Sequence, residues 1–163
     1  MKGLLFVALL SYVSVAVSAP SWNDLLPSPL KPEVLTKLAK IDDIIVRHLV
    51  KKRLENALAV VVFTRGAEVL LSNIPIGPHI DTVMNAVVAF EQQEAPVTML
   101  SMAHCRLTKM PHSLDVLESL GFLDIGDNAI SGQLHVSGSQ SLEALYAFQN
   151  KFDTIFLHMD SHP

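Results

Sequence analysis

The chain has 163 residues, with 12 Lys and Arg against 16 Asp and Glu for a formal net charge of -4, and half of it is hydrophobic. That acidic balance argues against nucleic-acid binding, which needs a basic face to draw in phosphates. One cysteine, Cys105, excludes an intramolecular disulfide framework and leaves stability to the core.

Lys2, the apolar run Leu4 to Val17 and the small residues reaching Ser18 read as a secretory signal peptide over 1–18, cut after Ser18. The run is shorter than the roughly 20 residues a membrane-crossing helix needs, and charges break every later apolar stretch, so no transmembrane anchor is expected. The placement is secreted and extracellular. No asparagine stands in an Asn-x-Ser/Thr context, so N-linked glycan is not expected.

Residues 19–32 form a proline-rich lead-in through Pro20, Pro27, Pro29 and Pro32, with Trp22, Leu25 and Leu26 available to pin it to the body. Residues 33–163 are expected to be a single helical domain. Pro32 suits a first helical turn and Glu33 its positive end. Val34, Leu38, Ile41, Ile45 and Leu49 then recur in helical rhythm, predicting an amphipathic rod through at least Ala57. Arg47, Lys51, Lys52 and Arg53 fall on its wet face, the alternative being contact with an anionic lipid surface.

The segment 59–71 reads either as a continued helix broken at Gly66, the preferred form, or as strand, because its length and apolar content fit both. Ile80, Val83, Met84, Val87, Val88 and Phe90 mark a helix from near Pro78 to before Pro96. Pro96 starts either a helix to Lys109 or a strand over 97–103. Ser113 is placed to cap a short helix carrying Leu114, Leu117 and Leu120 and ending at Gly121. Ile130, Leu134 and Val136 alternate with polar residues, predicting a small β element near 130–137. Ser139 or Ser141 then caps a last helix with the stripe Leu142, Leu145, Phe148, Phe152, Ile155, Phe156 and Met159. No fixed-period repeat is read. The fold class expected is mainly α, a compact helical domain with four to six amphipathic helices.

The candidate chemistry is thin. His104, Cys105 and His112 offer ligands for zinc or a base and nucleophile, but neighbouring side chains diverge on helix and strand alike, favouring a core cysteine. His158 and His162 share a helical face with Asp160 between them, at a chain end expected to fray. The segment Asp124-Ile125-Gly126-Asp127-Asn128 lacks the terminal glutamate of a calcium loop and reads as a polar turn. Hydrolase elbows, phosphate-binding glycine loops and His-Glu-x-x-His are missing, so no catalytic residue, metal site or cofactor is nominated.

The leading expectation is a secreted non-enzymatic binding protein, mostly helical, whose apolar interior or exposed groove holds a small hydrophobic or lipid-like ligand. The alternative is a secreted structural or protein-interaction component that self-associates as a homodimer, with Cys105 as the candidate intermolecular disulfide.

Overall fold

Pro32 and Asp43 each open a helix. The computed structural model describes residues 28–61, 64, 66–136 and 141–157. The leader, most of the lead-in with Trp22, Leu25 and Leu26, and the His158 to His162 end lie outside the described residues. Helix α1 spans Pro32–Leu38, with Pro32 at its first turn and Glu33 beside it. The expected continuous rod breaks after Leu38, because Asp43 adopts extended backbone and its carboxylate accepts the N–H groups of Ile45 and Val46 at 2.8 and 3.0 Å. An aspartate that satisfies backbone donors this way starts a new helix rather than continuing an old one. Helix α2 is Ile44–Val60 and buries Val46, Val50, Leu54 and Ala57. Ile45, expected inward, is 64% exposed.

From residue 67 onward the mainly α expectation is corrected: among the described residues the chain has three helices and six strands, the strands in parallel sheets. Strands β1 (Ala67–Leu70), β2 (Val97–Ser101), β3 (Phe122–Asp124) and β5 (Ala144–Tyr146) form one sheet in that order. Strands β4 (Ser131–Val136) and β6 (Lys151–Leu157) form a second, also parallel. Helix α3 spans Ile80–Gln93, as the spacing predicts.

The preferred helix over 59–71 ends at Val60, and β1 takes Ala67 to Leu70. Of the two forms open for the segment after Pro96, the strand is adopted. The short helix at Ser113 is a single 3-10 turn, Leu114–Val116, and Ser113 itself sits at φ 71° with no capping bond. The expected last helix is strand: Leu145 is half-buried in the core while Tyr146 points to solvent, a period-two pattern inside what reads as a helical stripe. The β element near 130–137 is present as β4, paired in parallel with β6 rather than in a hairpin.

Parallel neighbours joined this way make a solenoid. Val69, Leu100, Leu123 and Leu145 lie side by side across the first sheet, and the last three follow one another at steps of 23 and 22 residues. The sequence therefore does carry a near-fixed period, contrary to expectation. Backbone bonds extend the register past the strands: Leu71 N–H to Ser101 O, Met102 N–H to Asp124 O and Ile125 N–H to Tyr146 O, all 2.7–2.8 Å. One turn later Asn73, His104 and Asp127 repeat the pattern onto Ala103, Gly126 and Phe148. Asn73, His104, Asp127 and Gln149 all have φ between 52 and 66°, so each coil turns the same corner with the same left-handed residue.

Inside, the columns Leu71, Met102 and Ile125, and Ile76, Leu107 and Ile130, are fully buried, while their fourth members Ala147 and Phe152 are only partly so. The back of each coil differs. The first uses α3, the second the 3-10 turn, the third and fourth β4 and β6. Helix α2 packs against β1, covering one edge of the first sheet, and α1 packs on α3. Lys31 ties these layers together, its backbone N–H reaching Glu94 and its ammonium the Gln93 carbonyl at the end of α3. Ser28 donates to Glu55, whose carboxyl burial would raise; hydrogen bonds from Lys51 and Ser28 and the charges of Lys51 and Lys52 outweigh that and leave it below its usual range. No helix of the described residues is long and apolar enough to cross a membrane.

Candidate functional site

The coils are held in register by one side chain each, at the position that follows the strand by four residues. In the third coil this is Asn128. Its Oδ1 accepts the N–H groups of Cys105 and Leu107, both at 3.0 Å, and its Nδ2 donates to the carbonyls of Met102, Ile125 and Gly126 at 2.9–3.0 Å. In the fourth, Asn150 accepts from Ile130 N–H at 3.0 Å and donates to Ile125 O at 2.8 Å, and to Ala147 and Phe148 more weakly. Cys105 takes this place in the second coil, its thiol donating to Leu71 O at 3.2 Å. A carboxamide has a strong donor and a strong acceptor end, so it can satisfy two coils at once; a thiol donates and accepts only weakly.

Cys105 is fully buried. Burial pushes its thiol up to about 11, against the opposing pull of backbone bonds at Ile74 and Asn73 and with the charge of Asp124 adding to the rise. A thiol held neutral inside the coil is a poor nucleophile. Cys105 is thus the core cysteine that the sequence favours, and reaching a second chain through it, as the alternative homodimer bridge would need, requires the solenoid to open. His104, its neighbour, is exposed and sits 3.4 Å from Asp127, while His112 is exposed elsewhere. Among the described residues no three His, Cys, Asp or Glu gather as a metal site. The polar turn expected at 124–128 is instead strand end, corner and ladder.

With the ladder and core facing in, the strands turn a second set of side chains outward. Glu68, Met99, Phe122 and Ala144 form one register column, and Leu70, Ser101, Asp124 and Tyr146 the next. Leu70 is 40% exposed, Tyr146 48% and Phe148 54%. The rings of Phe122 and Tyr146 lie 5.1 Å apart with a 34° tilt, across β3 and β5. Phe148 reaches Gly126, whose absent side chain makes the room: a Cβ there would stand 3.0 Å from Cε1 and Cζ of the ring.

A polar thread crosses the same face. Ser72 Oγ and Ser101 Oγ are 2.6 Å apart, and Ser101 Oγ donates to Asp124 Oδ2 at 3.2 Å. Asp124 Oδ1 accepts Gly126 N–H at 3.0 Å. The carboxylate is thereby fixed beside the aromatic pair. Strand face and corner segments 67–73, 97–104, 121–127 and 143–149 contain Glu68, Asp124, Asp127 and Glu143 and no lysine or arginine. The cations expected on the wet face of the N-terminal helices are largely engaged there, Arg47 donating to Ile41 O and Lys51 to Glu55.

Sequence reasoning places none of these residues on a common outward face, setting Phe148 in a helix stripe and Asp124 in a polar turn. The signal was present in the alternation Leu145-Tyr146-Ala147-Phe148 and in the recurrence of Asn128 and Asn150, each five residues after Leu123 and Leu145. No protein-family model, curated protein or solved structure matches the chain.

Proposed function

We propose that this chain is a non-enzymatic interaction protein that holds an extended polypeptide segment of a partner across the outward face of β1, β2, β3 and β5. The single observation that carries the reading is the exposure of Tyr146 and Phe148, two residues apart on the last coil, beside the Phe122 and Tyr146 ring pair. Clustered exposed aromatic and aliphatic groups mark interaction surfaces, and Tyr in particular anchors them.

Two further features support it. The coil pattern, Leu120-x-x-Leu123-x-Ile125-x-x-Asn128-x-Ile130, repeated as Leu142-x-x-Leu145-x-Ala147-x-x-Asn150-x-Phe152, resembles the leucine-rich repeat, whose stacked coils present one strand face for binding. Strands also leave side chains rigidly spaced at about 4.8 Å between neighbours, a scaffold on which a binding surface loses little entropy. This keeps the interaction part of the alternative drawn from the sequence and replaces its self-association with a peptide segment of another protein. The apolar-ligand reading drew its strength from an interior or groove between helices, and the strand coils leave it without that basis. Export, read from residues 1–18, belongs to the same proposal and is checked by N-terminal sequencing of protein recovered outside the cell.

The test is panning a phage-displayed library of random dodecapeptides on the immobilised chain. Enriched peptides that lose at least tenfold in affinity when Tyr146 and Phe148 are replaced by Ser support the reading. No enrichment, or peptides that bind the doubly substituted chain equally well, overturns it.

A further inference from the structure

The face just described is one-signed. Its four acidic groups are met by no lysine or arginine on the strand and corner segments, whereas residues 28–61 carry Lys31, Lys37, Lys40, Arg47, Lys51, Lys52 and Arg53 against Glu33, Asp42, Asp43 and Glu55. Cations are thus concentrated in 28–61, while the strand and corner segments of the open sheet carry anions and no lysine or arginine.

Asp124 is the centre of that field. Register places it directly beside Tyr146 on β5 and Ser101 on β2, and it follows Phe122 by two residues on the same strand and face. Both carboxylate oxygens already accept one bond, from Gly126 N–H and Ser101 Oγ, which orients the group without neutralising it. Each oxygen keeps a lone pair. Among the described residues Asp124 has no cationic partner.

Resting on the reading of the sheet as a peptide-binding face, we infer that its occupant is a basic segment, with one Lys or Arg side chain seated between the Asp124 carboxylate and the face of Tyr146. The chemistry fits from both sides. A half-buried carboxylate attracts a cation more strongly than a fully solvated one, and an aromatic face beside it adds a cation–π contact. A guanidinium can make both at once, stacking flat on the ring while donating in its own plane to the carboxylate. An acidic segment is disfavoured on the same ground, since it would meet Asp124 itself and the further acidic groups Glu68, Asp127 and Glu143 on the strand and corner segments.

The experiment uses peptides enriched on the full chain and shown to require Tyr146 and Phe148, each resynthesised with its Lys and Arg residues replaced by Gln. Affinity is measured for both peptide forms on the unaltered chain and on Asp124→Asn, which keeps the shape and an acceptor for Gly126 N–H. Expected is a loss of tenfold or more on removing the peptide's cations, a similar loss for Asp124→Asn, little further loss when both are made, and weakening from 0.05 to 0.5 M NaCl. The peptide series and salt series need no protein variant, so a misfolded Asp124→Asn leaves the test intact. Peptides that need Tyr146 and Phe148 but are indifferent to their own cations and to salt overturn the basic anchor and leave the face reading standing. Peptides indifferent to Tyr146 and Phe148 overturn both.

Discussion

Asn128 holds Cys105 by its backbone: the carboxamide oxygen of one coil accepts, at 3.0 Å, the N–H of the residue that occupies the same position in the coil before it. The same oxygen accepts from Leu107, and the amide nitrogen serves three carbonyls. One side chain therefore satisfies five backbone groups in two coils.

Asn128→Ala leaves the N–H groups of Cys105 and Leu107 and the Met102 carbonyl without partners in a turn that water reaches only in part. Ile125 O keeps Asn150, and Gly126 O keeps His104 N–H. An unsatisfied backbone group costs about 1–3 kcal/mol, reduced where solvent enters, so a loss of about 3–4 kcal/mol is expected. Asn150→Ala, in the last coil beside half-exposed Ala147 and Phe152, is expected to lose about half as much. Urea unfolding of the two variants checks the order, and equal losses would refute the ladder as the element that binds coil to coil.

Cys105 makes stability fall at high pH. Its folded value, about 11, lies above the ordinary 9.0, so between those values the unfolded chain releases a proton that the folded chain retains. The unfolded state is then the one favoured by rising pH, and the thiol's contribution, intact below pH 9, declines by up to about 3 kcal/mol toward pH 11. The difference in urea midpoint between the unaltered chain and Cys105→Ala is expected to shift against the unaltered chain across this window. Iodoacetamide should label Cys105 only as the chain unfolds.

Glycines at two positions should respond differently to alanine. A Cβ on Gly77 would stand 2.0 Å from the Arg106 carbonyl oxygen, so the first and second coils must separate to admit it. Gly132 has φ 88° and open space around it, so alanine there meets only backbone strain. Expected losses are more than about 3 kcal/mol for Gly77→Ala, in the range of overpacked cores and backbone displacement, and about 1–2 for Gly132→Ala. Thermal unfolding distinguishes them.

Glu91 sits under the start of β2, where its carboxylate accepts the Val97 N–H at 3.2 Å. Burial raises its pKa, the bonds from Val97 and Glu118 oppose that, and the charge of Glu118 adds to it. With the folded value raised, the group favours folding most when protonated, below its ordinary 4.5, and loses that advantage as pH climbs through the folded value. Glu91→Gln, which keeps an acceptor for Val97, is expected to gain on the unaltered chain between pH 4 and pH 7, read from urea midpoints at each pH.

The helix with a sustained apolar period was legible from residues alone. Helix α3 lies where Ile80, Val83, Met84, Val87 and Phe90 place it, because a helix is closed by bonds between near neighbours and advertises itself locally. Part of the core was likewise named in advance, Val34, Leu38, Ile41, Leu117, Leu120, Ile130 and Leu134 among it, since burial follows composition. Val46, Val50 and Leu54 were not, because the break before Asp43 turns a different face of α2 inward. Leu142, Leu145, Phe148 and Phe152 show the limit: the same spacing fits a helix stripe and two short strands joined by a corner.

What decided between them lies in other coils. Strand β5 exists because Leu123 and Ile125 stand beside it and offer both a ladder of backbone bonds and a dry column to join, and no window along the chain contains that partner. The period that would have revealed the stack is blurred by a 31-residue first step from Val69 to Leu100, by backs built from helix, turn and strand in turn, and by Ile74, Cys105, Asn128 and Asn150 filling one column with three kinds of residue. Composition and local periodicity determined where α3 would run and part of what would be buried. Tertiary contact alone decided that the rest would be strand, and so which residues, Tyr146 and Asp124 among them, face outward.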